Sequence, residues 1–134
     1  MTITEDISTD TPEQAEFRAE VRAFLAANAK LRQADSPFAI NAHTSEAEAR
    51  EAFEEGCRWQ RTLFDNRLAG LTYPVEYGGR GGHPWHESIY REEAARYDVS
   101  SGFIAATMAM LLPTLMKHAS DEQKAYYVPR MLGR

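Results

Sequence analysis

Four glycines and two prolines fall within the twelve residues Tyr73-Pro74-Val75-Glu76-Tyr77-Gly78-Gly79-Arg80-Gly81-Gly82-His83-Pro84, and no other stretch restricts the fold so strongly. A continuous helix through them is very unfavourable, yet helical patterning lies on both sides. Tyr73, Val75 and Tyr77 can pack while the glycines take backbone angles that other residues resist. The stretch therefore reads as an ordered loop between helices. A flexible linker would be richer in serine and poor in aromatics.

Before the loop, Thr11-Pro12-Glu13-Gln14 has the form of a helix start, with Thr11 as cap, Pro12 at the first helical position and Gln14 reaching back. Phe17, Val21, Phe24 and Leu25 then recur at helical spacing through about Ala29. Lys30 to Thr44 is a connection without clear periodicity. Ser45 caps a second helix whose apolar positions, Ala49, Ala52, Phe53, Gly56, Trp59, Leu63 and Phe64, predict a core face anchored by Trp59, with Gly70 as terminator.

After the loop, Pro84 opens a third helix that carries Trp85, Ile89, Tyr90, Ala94 and Ala95 to about Tyr97. Phe103 to Met110 contains almost nothing polar, so the fourth helix is expected to be buried on most sides. Leu112-Pro113 suggests a break and a new short helix from Pro113 to Ala119. Ser120 and Gln123 form another capping box, and the last helix, strained by Pro129, runs toward Gly133. No segment alternates like a strand. The predicted class is all-α, a helical bundle over residues 11–134 preceded by a flexible, acidic tail over residues 1–10.

Composition narrows the function classes. A chain of 134 residues has room for one domain, and a net charge of −5 argues against nucleic acid or an anionic membrane as main partner. Cys57 is the only cysteine, which excludes an internal disulfide and suits the reducing cytoplasm. It is expected to be a buried core thiol. The apolar run from Phe103 to Met116 is shorter than the ~18 residues of a membrane-spanning helix.

Local chemistry points to no catalytic group. His83, His86 and Glu87 stand in the wrong order for the helical zinc motif His-Glu-x-x-His, and no metal site is expected. The glycine loop lacks the lysine and the preceding strand of a phosphate loop, so it reads as a structural turn. Glu92 and Glu93 are adjacent and diverge on a helix instead of forming a facing pair.

Three segments in order resemble the amino-terminal domain of the acyl-CoA dehydrogenase family. They are Phe17-Arg18-Ala19-Glu20-Val21-Arg22-Ala23-Phe24-Leu25, Gly70-Leu71-Thr72-Tyr73-Pro74-Val75-Glu76-Tyr77-Gly78-Gly79-Arg80-Gly81 and Ser120-Asp121-Glu122-Gln123-Lys124. The resemblance implies oxidation of acyl-CoA to the 2,3-enoyl thioester, with FAD accepting the β-hydride and an electron acceptor reoxidising it. It also implies that the flavin site and catalytic base lie in a β-barrel domain and a second helical bundle that follow this domain in the family, so that this chain is inactive alone. Assembly into homo- or hetero-oligomers is a further expectation. By the same resemblance, Phe103, Ala106, Thr107 and Met110 line the acyl pocket. Acyl-CoA oxidases and flavin-dependent hydroxylases are similar to the family, and a non-catalytic helical interaction module is the reading from a different class.

Overall fold

The computed structural model describes residues 9–33, 45–99 and 102–134, with the backbone alone for residues 102 and 103. Five helices occupy these segments: α1 (Pro12–Asn28), α2 (Glu46–Asp65), α3 (Pro84–Ala94), α4 (Gly102–His118) and α5 (Asp121–Leu132). A single 3-10 turn, Val75–Tyr77, sits in the glycine loop. Among the described residues the only extended pairing is an isolated antiparallel bridge between Leu31 and Tyr97. The chain is all-α, as predicted. The tail before residue 9 and most of the connection after Lys30 lie outside the described residues.

Local signals set the helix starts. The Thr11 and Ser120 side chains each accept from the backbone N–H three residues on, and Gln14 and Gln123 reach back to the caps. Ser45 caps α2 in the same way by accepting from Glu48 N–H. Each such cap contributes about 1 kcal/mol by satisfying a donor that the helix leaves unpaired.

The end of α2 departs from expectation. It stops at Asp65, five residues before Gly70, because Arg67 takes a left-handed conformation (φ 58°). Leu68 N–H then donates to Leu63 carbonyl at 2.8 Å and Arg67 N–H to Phe64 carbonyl at 3.0 Å, the bond pair of a Schellman motif. Leu63 and Leu68 are both buried, which supplies the apolar contact that stabilises the motif. Tertiary packing has put an arginine where glycine is usual.

Helix α1 packs on α3, while α4 packs against both α2 and α5. Phe17, Val21, Phe24 and Leu25 are all buried, and the Phe24 ring meets Trp59 at 5.6 Å to join α1 to α2. The α1–α3 pair is also held by charge. Arg18 donates at 2.9 Å to both Glu92 and Glu93, and Arg22 donates to the second oxygen of Glu93. Arg18 also binds Asp10, so the chain is held from a position just before α1. Glu93 is only 3% exposed.

The expected break at Pro113 is absent: α4 is one continuous helix with Pro113 inside it. The missing proline N–H deprives the carbonyl of Ala109, an exposed residue where water can replace the lost bond. Leu112, 1% exposed, anchors the next turn in the core, and the Thr114 hydroxyl donates to Met110 carbonyl at 2.8 Å. Helix α5 likewise continues through Pro129, which is buried. Helix α3 ends at Ala94, three residues short of Tyr97, because the chain turns to form the bridge with Leu31.

Candidate functional site

Helix α4 was expected to be buried on most sides, and the structure overturns this. Ala105, Ala106, Thr107, Ala109, Met110 and Leu111 are exposed, Met110 at 71% and Leu111 at 54%. Two helices pack on α4, and they cover one flank only. Residues 103, 106, 107 and 110 follow the i, i+3, i+4, i+7 spacing of one helical stripe, and Ala106, Thr107 and Met110 lie open to solvent. The side chain of Phe103 lies outside the described residues. Contiguous exposed apolar surface of this kind marks a candidate interaction face.

On its other flank α4 borders a cavity of about 330 Å³. Phe53, Cys57, Gln60 and Arg61 of α2 line it, with Ile104, Thr107 and Met108 of α4 opposite and Arg130, Met131, Gly133 and Arg134 closing it at the end of α5 and just beyond. Of the predicted pocket residues whose side chains are described, Thr107 is on this lining and Ala106 and Met110 are not. Two expectations fail here. Cys57 is exposed, not a buried core thiol, and Phe53 is 50% exposed although its spacing placed it on the core face. Both stand on the part of α2 that looks into the cleft, whose opposite wall carries Ile104 and Met108 of α4. Sequence reasoning missed Arg61 and Arg130. Phe53, Cys57, Gln60 and Arg61 do share one face at helical spacing, but spacing alone cannot tell a packed face from a cleft wall.

The glycine loop is a shaped turn. Gly78, at φ 90°, ends the 3-10 turn, and the N–H groups of five successive residues are all spent inside the loop. Those of Gly78 and Gly79 donate to Val75 and Pro74, that of Arg80 to Gly70, and those of Gly81 and Gly82 to Tyr73 and Leu71. No row of free donors remains to cradle an anion. Arg80 extends from the loop to Glu20 at 2.7 Å and lies over the Phe17 ring, which ties the loop to α1.

The two histidines at the start of α3 have a structural role. His83 N–H donates to His86 Nδ1 at 2.9 Å, and the His86 ring stacks on Trp85 at 3.7 Å. Burial holds the His86 pKa below its ordinary value. Burial also pushes Tyr90 up to about 12, far from a proton-transfer role near neutral pH. Glu93 shifts the other way. Its burial opposes ionisation, but hydrogen bonds from Arg22 and Arg18 outweigh that effect and hold the carboxyl below its usual range. Among the described residues no group of three or more His, Cys, Asp or Glu side chains could hold a metal ion. Nor is any helix there long and apolar enough to cross a membrane.

Comparison with known proteins sharpens the assignment. A family model described as "Acyl-CoA dehydrogenase, N-terminal domain" matches residues 11–134. The chain is 35% identical over 125 residues to the acyl-CoA dehydrogenase IpdE1 of Mycolicibacterium smegmatis, covering 90% of this chain and 30% of that protein. It is 32% identical over 89 residues to 3-sulfinopropanoyl-CoA desulfinase of Paraburkholderia xenovorans, covering 64% of this chain and 22% of that one. Among solved structures, the ChsE4-ChsE5 complex from Mycobacterium tuberculosis superposes with a TM-score of 0.61 at 28% identity, over 93% of this chain and 28% of the matched one. The chain thus spans between about two and three tenths of the length of these relatives.

Proposed function

Because the chain belongs to the acyl-CoA dehydrogenase family, whose amino-terminal helical domain it forms, we propose that it supplies one wall of an acyl-thioester site and works only with the family's other domains. The uncovered stripe of α4 carries this reading. Phe103, Ala106, Thr107 and Met110 are its wall residues, and their part is to pack the acyl chain and exclude water. Each methylene buried against such a wall contributes about 0.8 kcal/mol.

The reaction assigned to the complete enzyme is dehydrogenation of an acyl-CoA at the 2,3 bond, for which FAD, when bound, would supply the hydride acceptor. The described residues do not fit FAD. The loop N–H groups are internally bonded, and a cavity of about 330 Å³ lies at the low end for drug-sized ligands, well short of a dinucleotide. No Asp, Glu or His side chain among the described residues lines that cavity, so it offers no side-chain carboxylate or imidazole as base for the α-proton. Flavin and base are therefore assigned to parts of the complete enzyme outside the described residues.

The test has two arms. The purified chain, incubated with FAD, an acyl-CoA series and an artificial electron acceptor, should retain no flavin and form no enoyl product. Retained flavin with turnover would sink the proposal that it is inactive alone. In the complete enzyme, Ala106→Phe should raise KM for long acyl-CoA substrates about tenfold while sparing short ones, as loss of one or two buried methylenes requires. An unchanged chain-length profile would remove α4 from the wall.

A second reading keeps the fold and the thioester but changes the reaction, as in an oxidase or a hydroxylase. The similarity to a desulfinase favours keeping it, since this region is shared between enzymes named for different chemistry. Hydrogen peroxide formed in step with enoyl product by the complete enzyme would mark the oxidase. The exposed stripe also suits association, either with a second copy or with a different polypeptide of the same family.

A further inference from the structure

The cleft between α2, α4 and the end of α5 has a chemistry that the acyl-wall reading does not use. Its lining includes Ile104, Met108 and Met131 on the apolar side and three arginines, Arg61, Arg130 and Arg134. The chain has 20 acidic residues and a net charge of −5, yet none of the acidic residues lines this cleft. Arg130 is already engaged: its guanidinium donates to Tyr126 carbonyl at 2.6 Å and lies over the Tyr126 ring. Arg61 and Arg134 make no ion pair with any carboxylate side chain among the described residues.

We propose that this cleft binds a small aliphatic carboxylate, with its tail against Ile104, Met108 and Met131 and its carboxylate received by Arg61 and Arg134. The pairing follows from the two halves of the lining. The guanidinium fork matches a carboxylate with two parallel donors. Apolar side chains beneath it favour a tail over a bare anion. At about 330 Å³ the space suits a small ligand and excludes a dinucleotide. The site shares Thr107 with the exposed stripe but none of the groups assigned to hold the ligand, so it stands whether or not that stripe forms an acyl wall.

Cys57, the only cysteine in the chain, is exposed on the lining and makes occupancy measurable. Octanoate should slow alkylation of Cys57 in a saturable way and raise Tm, because a ligand that binds only the folded state stabilises it. Octanol, octylamine and inorganic phosphate should do neither. Arg61→Gln, at an exposed position, should raise the half-protecting concentration of octanoate about tenfold, the loss expected for one charge-assisted hydrogen bond. Arg134→Gln gives an independent second variant. Equal protection by octanol would reduce the site to a greasy cleft, and equal protection by phosphate would remove the tail from the recognition. No protection by octanoate would overturn the proposal outright.

Discussion

Arg18 and Glu93, 75 positions apart in the chain, meet at 2.9 Å and lock α1 to α3. The carboxylate is nearly sealed from solvent and keeps its charge because Arg18 and Arg22 each bind one of its oxygens. Removing one partner from such a pair costs more than the pair itself contributes, since a buried charge is left behind. Arg18→Met should therefore destabilise the chain by about 3 kcal/mol. Arg22→Met should cost clearly less, because that side chain is about half exposed and its interaction is screened. Urea midpoints for the two variants check the ranking, and equal losses would count against it.

Stability should fall with acid in two separable stages. His86 has a lowered pKa in the fold, so between that value and its ordinary 6.5 the unfolded chain binds the extra proton. Its contribution is complete above pH 6.5 and is lost as pH drops through the folded pKa. Glu93 behaves alike in its own range, with a contribution present above 4.5 and lost below it. His86→Gln, which keeps an acceptor for His83 N–H without titrating, should flatten only the upper stage. Glu93→Gln should flatten only the lower one. Denaturation midpoints from pH 7.5 to 3 distinguish them.

Gly79 is required for space rather than for conformation. It does not take a left-handed φ, and a β-carbon there would overlap the carbonyl oxygen of Tyr73. Even Gly79→Ala should therefore destabilise by about 3 kcal/mol, at the upper end for overpacking, and Gly79→Val by at least as much. A thermal melt of the alanine variant that matches the parent would refute the packing argument.

Arg67 should be improvable. A non-glycine residue in the left-handed region costs about 1 kcal/mol, and Arg67→Gly relieves that while giving back part of it as chain entropy in the unfolded state. The net gain of about 0.5 kcal/mol corresponds to a rise in Tm of about 2 °C. The carbonyl of Arg67 that accepts from Arg80 is retained, so the loop is not disturbed. A lower Tm would mean that the arginine side chain contributes more than its backbone costs.

What could be read from sequence was local. Thr11 with Gln14 and Ser120 with Gln123 announce their helices because a cap is decided within four residues of its own donors. The glycine loop was legible as an ordered turn for the same reason, and the segments around it carried the family. The stripe of α1 was legible because four apolar residues at helical spacing need a partner, whichever element that turns out to be.

Tertiary structure alone settled which apolar faces are covered. Phe53 and Cys57 fit a core pattern and yet line an open cleft, and the apolar α4 lies half uncovered. Pro113 carries a strong local signal to break a helix, but Leu112 buried in the core holds the helix together across it. Arg67 sits in a conformation its own preferences oppose because Leu63 and Leu68 gain by meeting. Periodicity shows that a face is apolar; whether it is buried depends on elements far away in the chain, whose distance and fit only the folded structure defines.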